Sequence, residues 1–459
     1  MSNNQSPLVL GYGNIGKLLW QYSVPSIIAM VATSLYNIVD SIFIGHGVGP
    51  MALAALSISF PFMNLGAAFG SLIGVGGAAI MSVRLGAKDY RSAEEILGNL
   101  VLLNIITGIF FSLVCLLFLD SILLFFGASA ETLPYARSFM RILLYGNVIT
   151  HLYFGLNGML RSSGYPHKAM ITALISVVIN IMLAPLFIFV FKWGIEGAAL
   201  ATLLAQVFAL LYEALHFFSK KSYIHFKLNI FVLKKNIVKD IISIGIAPFL
   251  LNAGGSIIVI IINRSLLLYG SDLAVGAYGI IVRLATLFVM IVLGLTQGMQ
   301  PIVGYNYGAK QYDRVLKTFK YTVIWAVCIT TVGFLLGELF PRYMASMFTT
   351  DEELIRLSKE GLQISVILFP IVGFQMVVSQ FFQSIGRAKE AVFLSVSRQI
   401  LFLLPLLFIF PYFWGTKGVW ISMPVSDFLA TIVAIILIVR QLNKLKKQDE
   451  NLENNTFEK

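Results

Sequence analysis

The stretch RLGAKDY (84–90) returns as NYGAKQY (306–312), and that return decides how the chain is organised. Gly86 and Gly308 are 222 residues apart, and so are Gly164 of SSGYPHKA and Gly386 of SIGRAKEA. Pro25 and Pro248 are separated by 223, and the pairs Trp193-Gly194 and Trp414-Gly415 by 221. Independent matches at one offset mark an internal repeat, which has to be recognised before any local motif is read. The chain is two similar halves.

Composition says where those halves sit. Of 459 residues, 58% are hydrophobic and 12% charged, against about 45–50% and about 25% in a soluble domain. With a mean hydropathy of +0.85, the class is membrane protein. The net charge of +11 falls in short clusters between apolar stretches, so it reads as topology rather than as an attraction to nucleic acid. Cys115 and Cys328 lie in apolar runs and read as small core residues, and five scattered histidines give no ligand spacing. The start of the chain has no basic segment or cleavage site, so no removable signal peptide is expected.

A helical span needs about 20 largely apolar residues. Twelve such runs occur, at 17–44, 51–82, 92–119, 132–160, 166–190, 195–218, 238–268, 273–302, 314–340, 354–384, 389–412 and 418–440. They are too long and too uniformly apolar for barrel strands. Gly66, Gly70 and Gly74 form a small-residue packing stripe; no strand precedes it, which discounts a nucleotide loop. Lys and Arg cluster after the even spans: Arg84, Lys88 and Arg91; Arg161 and Lys168; Lys220 to Lys235; Lys310, Arg314 and Lys317; Arg387 and Lys389. The opposite loops are poor in both, which places both termini in the cytoplasm. The expected organisation is a segment 1–16, a six-helix bundle 17–219, a basic linker 220–237, a second bundle 238–442 and a polar, unstructured tail 443–459. Six spans per half make the repeat parallel, a transporter architecture with its substrate between the halves.

At this point the residues carry a resemblance. The two GAK turns, YNIVDSIFIG (36–45), RSSG (161–164), GAALAT (197–202), TQGMQPIVGYNYGAK (296–310), SRQILFLLPLLFI (397–409) and GVWISMPVSD (418–427) resemble the multidrug and toxic compound extrusion (MATE) family. The resemblance covers essentially the whole chain and is nearest to the bacterial MepA-type branch. It implies a V-shaped, all-α fold of twelve transmembrane helices. It also implies export of amphipathic or cationic drugs, driven by protons or sodium, from a multi-pass protein of the cytoplasmic membrane that works as a monomer.

Ionisable groups inside spans are functional candidates by default. Asp40 is the main one, about 6 Å below the outer end of span 1; Asn180 on span 5 and Thr202 on span 6 lie roughly 15 and 10 Å down. A shielded carboxylate there suits exchange of a coupling proton, and the same oxygens suit sodium. In MATE relatives of the archaeal and DinF-like type, the resemblance adds a second Asp, where this chain has Ala184. That departure weakens a sodium site and leaves Asp40 as the carboxylate of the cluster, with Glu196 a distant substitute. The second half has Asn263 opposite Asp40, and Asn252 and Gln375 in spans 7 and 10, none of which titrates. Arg283 in span 8 reads either as a cavity residue or as a structural partner, Arg398 in span 11 as structural, and Asp427 as a partner for either.

Flexible Met suits promiscuous surfaces and aromatic faces attract organic cations. The expected substrate set is Tyr36, Phe60, Met63, Arg283, Met290, Gln297, Met299 and Gln300, on spans that border the cleft in MATE proteins. No cofactor beyond the coupling ion and no bound metal is expected. The competing reading within transport is a lipid-linked saccharide flippase of the same superfamily, which usually carries more cations in its cavity. A membrane enzyme would need a nucleophile, metal or paired-carboxylate cluster; His151 in span 4 has no obvious partner, and no P-loop or zinc motif occurs. The hydrophilic loops are too short for a receptor domain.

Overall fold

The computed structural model describes residues 8–219 and 222–457. Residues 1–7 of the N-terminal segment, Lys220 and Lys221 at the head of the linker, and 458–459 of the tail lie outside the described residues. Among the described residues there is no strand, and helices account for almost all of the chain.

The helices fall where the apolar runs place them. Span 1 is Ile15–Gly47, span 2 Pro50–Gly86 and span 3 Tyr90–Leu117. Span 5 is Pro166–Val190, span 6 Gly194–Phe218, span 7 Lys235–Tyr269, span 8 Asp272–Gly308 and span 9 Tyr312–Leu339. Nine helices among the described residues are long and apolar enough to cross a bilayer, ten with one bent pair. That pair is span 10, Glu352–Val366 and Phe369–Ser384, bent by 52°. Pro370 forces the bend, because it has no N–H to bond the Val366 carbonyl four residues earlier and its ring clashes with that carbonyl, so the helix stops and restarts at Phe369. Span 4 is likewise two pieces, Leu133–Tyr145 and Asn147–Ser162; they part at Gly146, where a Cβ would stand 2.0 Å from Leu203 of span 6. Spans 11 and 12 form one helical stretch that turns at Gly415, whose φ of 57° and ψ of −137° suit glycine alone. Dividing there, and counting span 4 as one crossing, gives twelve.

The tail corrects an expectation. Span 12 does not stop at the membrane but continues as helix to Phe457, and Leu445 is fully buried in the core. Lys, Glu and Leu in the run propagate a helix through its asparagines once a buried segment has nucleated it.

The repeat is visible in the backbone. Several left-handed residues recur between the halves: Lys88 and Lys310 (φ 60° and 58°) and Gly164 and Gly386 at an offset of 222, and Gly194 and Gly415 at 221. The two halves meet through span 1 on span 8 and span 2 on span 7. Gly86 presses against the Tyr305 backbone and its mate Gly308 against the Val83 backbone, where added Cβ atoms would lie 1.8 and 1.9 Å from carbonyl oxygens. Further up, Gly76 meets Ile241 and its mate Gly298 meets Ser23. Small residues let helices approach at backbone distance, where dispersion replaces the hydrophobic drive that lipid does not supply. Phe69 on Phe249 and Gln297 on Met30 mark the upper end of the seam.

All of these contacts lie toward the face that holds both chain ends, here the terminal face. The short helix Val9–Tyr12 reinforces it from outside. Asn306 Nδ2 donates to the Leu10 carbonyl at 3.0 Å, and Arg314 Nη2 donates to the Leu10 and Gly13 carbonyls at 2.9 and 2.7 Å. The linker is pinned to span 3: Asn99 takes the Lys234 amide at 2.8 Å and donates to the Val232 carbonyl, while Glu94 and Glu95 pair with Lys227 and Lys234. Asp89 caps span 3, and hydrogen bonding to Ser92 holds its carboxyl below the usual range. Gly86→Val should therefore force the seam apart at a cost of about 1–3 kcal/mol. It should also open a Ser23→Cys probe, in a Cys328→Ser background, to an impermeant thiol reagent. Unchanged melting and unchanged labelling would show that the crossing tolerates a side chain.

Candidate functional site

Buried polar groups collect inside each half. In the first half one cluster begins at Asp40. It lies seven residues before the end of span 1, about 10 Å deep and so one turn deeper than the sequence placed it. Asp40 is 7% exposed, and its Oδ1 is buried without a hydrogen bond. One turn earlier, Tyr36 approaches Thr202 Oγ1 at 3.4 Å and senses the Asp40 charge. Asn180 Nδ2 donates to Thr202 Oγ1 at 3.0 Å, and Thr202 donates to the Ala198 carbonyl at 3.2 Å. The structure thus brings Asn180, Thr202 and Tyr36 together beside Asp40. Ala184 is fully buried and its side chain offers no oxygen, and Glu196 is exposed in the first turn of span 6. The cluster holds one carboxylate with polar neighbours on three spans.

Asp40 points into its own bundle, not toward the second half. Ile27 marks the seam face of span 1; nine and thirteen residues separate it from Tyr36 and Asp40, which puts both on the other side of the helix. The substrate set divides by the same reasoning. On span 8, Gly294 marks the seam face against Ile27. Arg283, Met290 and Gln297 share that face. Arg283 is exposed, with no ion pair among the described residues, three turns above the glycine. Met299 is fully buried in the core, and Gln300 is buried with its amide 3.4 Å from the Val75 carbonyl of span 2. Both are seam residues in this conformation, not cleft lining. Met63 packs into the apolar core of the first half, and Phe60 stands two and a half turns from Phe69, on the opposite face of span 2.

The second half answers differently. Arg398 Nε donates to Asp427 Oδ1 at 2.7 Å, and Gln375 Nε2 donates to the Asp427 carbonyl and to Thr431 Oγ1. Arg398 sits in a π-helical segment, Ser397–Leu403, the kind of extra-residue turn that re-aims a side chain. The pair that the sequence left open is therefore made, with Arg398 and not with Arg283. His151 also finds a partner: its Nε2 stands 3.1 Å from the Gly66 carbonyl. Gly70 and Gly74 of the same stripe lie on His151 and Gly155, a packing role.

Sequence reading missed Glu213. It lies on span 6, is fully buried, and accepts from Asn157 Nδ2 at 3.2 Å. Asn157 also donates to Thr172 Oγ1 and accepts from Arg161 at 2.7 Å. Arg161, read as a loop charge, is inside the helix end. The signal was available: Thr202, Gln206, Ala209 and Glu213 fall on one face of span 6 by helical spacing.

With this geometry in hand, comparison with known proteins is direct. The family model MatE matches residues 25–186 and 245–409. The multidrug export protein MepA of Staphylococcus haemolyticus (strain JCSC1435) is 28% identical over 437 residues, 94% of this chain and 95% of that protein. MepA of Staphylococcus aureus (strain NCTC 8325 / PS 47) is 28% identical over 92% of this chain and 93% of its own length. A crystallised MATE protein in a bent conformation superposes with a TM-score of 0.91 at 27% identity, covering 97% of this chain and 99% of that one. An outward-facing multidrug resistance MATE transporter gives 0.91 at 27% identity, with 97% and 100% covered.

Removing one partner of a buried ion pair strands the other charge. Arg398→Gln should cost on the order of 3 kcal/mol, reduced by the partial exposure of Arg398, and adding Asp427→Asn should recover most of it. A double-mutant cycle by thermal unfolding in detergent checks this; additive losses would dismiss the coupling.

Proposed function

Because the chain belongs to the MatE family and is a multi-pass multidrug efflux transporter, not an enzyme, we propose that it exports amphipathic organic cations in exchange for protons, by alternating access, with Asp40 as the coupling acid. The observation that carries this reading is the Asp40 carboxyl itself, buried in the first bundle with an unpartnered oxygen beside Tyr36 and the Asn180–Thr202 pair.

An ionised carboxylate there is short of hydrogen bonds, and a proton relieves that. Sodium would need more oxygen ligands than Asp40, Asn180 and Thr202 offer once Ala184 replaces an acid. Span 1 joins this acid to the gate: Ser23 and Ile27 of the same helix form the seam on span 8. Pro25 lies between them and removes a helix hydrogen bond, a place where the helix can bend. Protonation at one end of span 1 is thereby transmitted as a change in packing at the other.

The Lys and Arg clusters put the terminal face in the cytoplasm of a cell whose plasma membrane holds the protein. The sealed seam is then the inner gate, and the cleft between the halves opens outward. Arg283, Met290 and Gln297 supply the second-half wall of the cleft. Flexible Met and the aromatic surfaces nearby suit ring-bearing cations, and one chain carries the whole device.

The test is dye efflux from proteoliposomes under separate proton and sodium gradients, with Asp40→Asn beside the unmodified protein. Efflux driven by protons, and lowered at least tenfold by Asp40→Asn, is expected. Efflux driven by sodium alone would overturn the ion assignment. No efflux under either gradient would bring forward the lipid-linked saccharide flippase.

A further inference from the structure

We propose that Glu213 is a second proton-binding carboxyl of the first half, placed to receive the coupling proton on its way to the terminal face; this rests on Asp40 being the proton acceptor.

Glu213 lies five residues from the end of span 6, about 8 Å above the terminal face, and eleven residues below Thr202 on the same side of the helix. It is the one glutamate fully buried among the described residues. Its Oε1 accepts from Asn157, with Thr172 alongside, and its Oε2 has no hydrogen bond. The nearest cation, Arg161 of span 4, does not pair with it. Asn157 stands between them, giving its oxygen to Arg161 and its amide to Glu213. The contrast is the buried acid of the second half, Asp427, which Arg398 touches directly. Arg161 therefore acts on Glu213 across this bridge and not as a direct ion pair, and a buried carboxyl without a direct ion pair takes up a proton more readily than one that has it.

The other charged and titratable groups around it are accounted for. Span 4 presents Arg161 and Tyr153, which senses both Glu213 and Tyr36. Span 5 presents Lys168, whose Nζ donates to His216 Nδ1 at 2.8 Å one turn nearer the terminal face. Span 1 presents Tyr36. None of these is an acid that competes for the proton.

Polar side chains line the bundle between the two carboxyls. Thr172, Ser176 and Asn180 recur every fourth residue on span 5, and Asn157 and Tyr153 do so on span 4. Asn180 is hydrogen-bonded to Thr202, which Tyr36 approaches beside Asp40. The transfer balances simply. Asp40 loses one proton and Glu213 gains one. Each hydroxyl on the way takes one proton and passes one on, ending unchanged, while water carries the proton past the amides of Asn180 and Asn157, which hold hydrogen bonds but do not relay. Glu213 then releases its proton past Asn157 and Arg161 to the terminal face.

Infrared difference spectra of the full protein in lipid, between acid and alkaline buffer, read protonated carboxyls directly. Two buried-carboxyl bands are expected. Glu213→Gln should remove one and Asp40→Asn the other, while Glu213→Asp restores a band. Labelling the unmodified protein with 13C-glutamate should shift the Glu213 band and leave that of Asp40, so the assignment survives even if Glu213→Gln does not fold. Loss of a band in Asp40→Asn with no glutamate-sensitive band would overturn the role of Glu213 and leave Asp40 intact. A glutamate band with none lost in Asp40→Asn would overturn the Asp40 reading instead.

Discussion

Everything in this molecule hangs on a backbone crossing. Gly86 and Gly308, equivalent positions of the two halves, each rest on the other half's main chain, with Gly76 and Gly298 repeating the arrangement above. Lipid tails are as apolar as leucine, so two bundles in a bilayer gain nothing from mere greasiness. They hold together by contact at a distance that only small residues permit. Such contact is also reversible, because among the described residues no buried ion pair or disulfide joins the spans of the two halves. The polar bonds of the seam are few: Ser23 to the Leu295 carbonyl and Gln300 to the Val75 carbonyl within it, and Arg314 and Asn306 to the Leu10 and Gly13 carbonyls at its edge.

The repeat is symmetric in backbone and asymmetric in chemistry. Tyr153 and Ser176 of the first half stand where Gln375 and Arg398 stand in the second, at the common offset of 222. In the second half the buried acid is closed off by its own guanidinium. In the first half two carboxyls keep an oxygen free of hydrogen bonds. A duplicated scaffold has thus become one lobe with fixed internal charge and one whose internal charge can change. The π-helical segment that turns Arg398 toward Asp427 belongs to the fixed lobe.

The gross plan was legible because it rests on one-dimensional signals. Length of apolar run gave the spans, and the fixed offset gave the repeat. The bend at Pro370 is readable from the proline; the break at Gly146 is not, since it depends on Leu203 from another helix. At the site, Asp40, Asn180 and Thr202 were found because each is polar in an apolar run. Glu213 and Arg161 were passed over because they fall near span ends, where charge normally means interface. Met299 and Gln300 were placed on the cleft because a sequence does not say which face of span 8 meets span 1 and span 2; the glycines at 294 and 298 turn those residues inward. The tail was read by composition, which ignores that a helix already formed extends cheaply.

The pairing of span 1 with span 8 has a consequence for biogenesis. Ser23 finds its partner 272 residues later, and Leu10 waits 296 residues for Asn306. During synthesis the first half emerges with its seam faces bare, the Ser23–Ile27 face of span 1 and the glycines of span 2 open to lipid or to any neighbouring chain. The first bundle can complete its internal contacts, but its inner gate exists only once span 8 has been made. A ribosome stalled in the second half would leave a six-helix intermediate whose exposed seam matches that of another such intermediate. Quality control of this protein therefore has a defined surface to recognise, and that surface vanishes at the last stage of assembly.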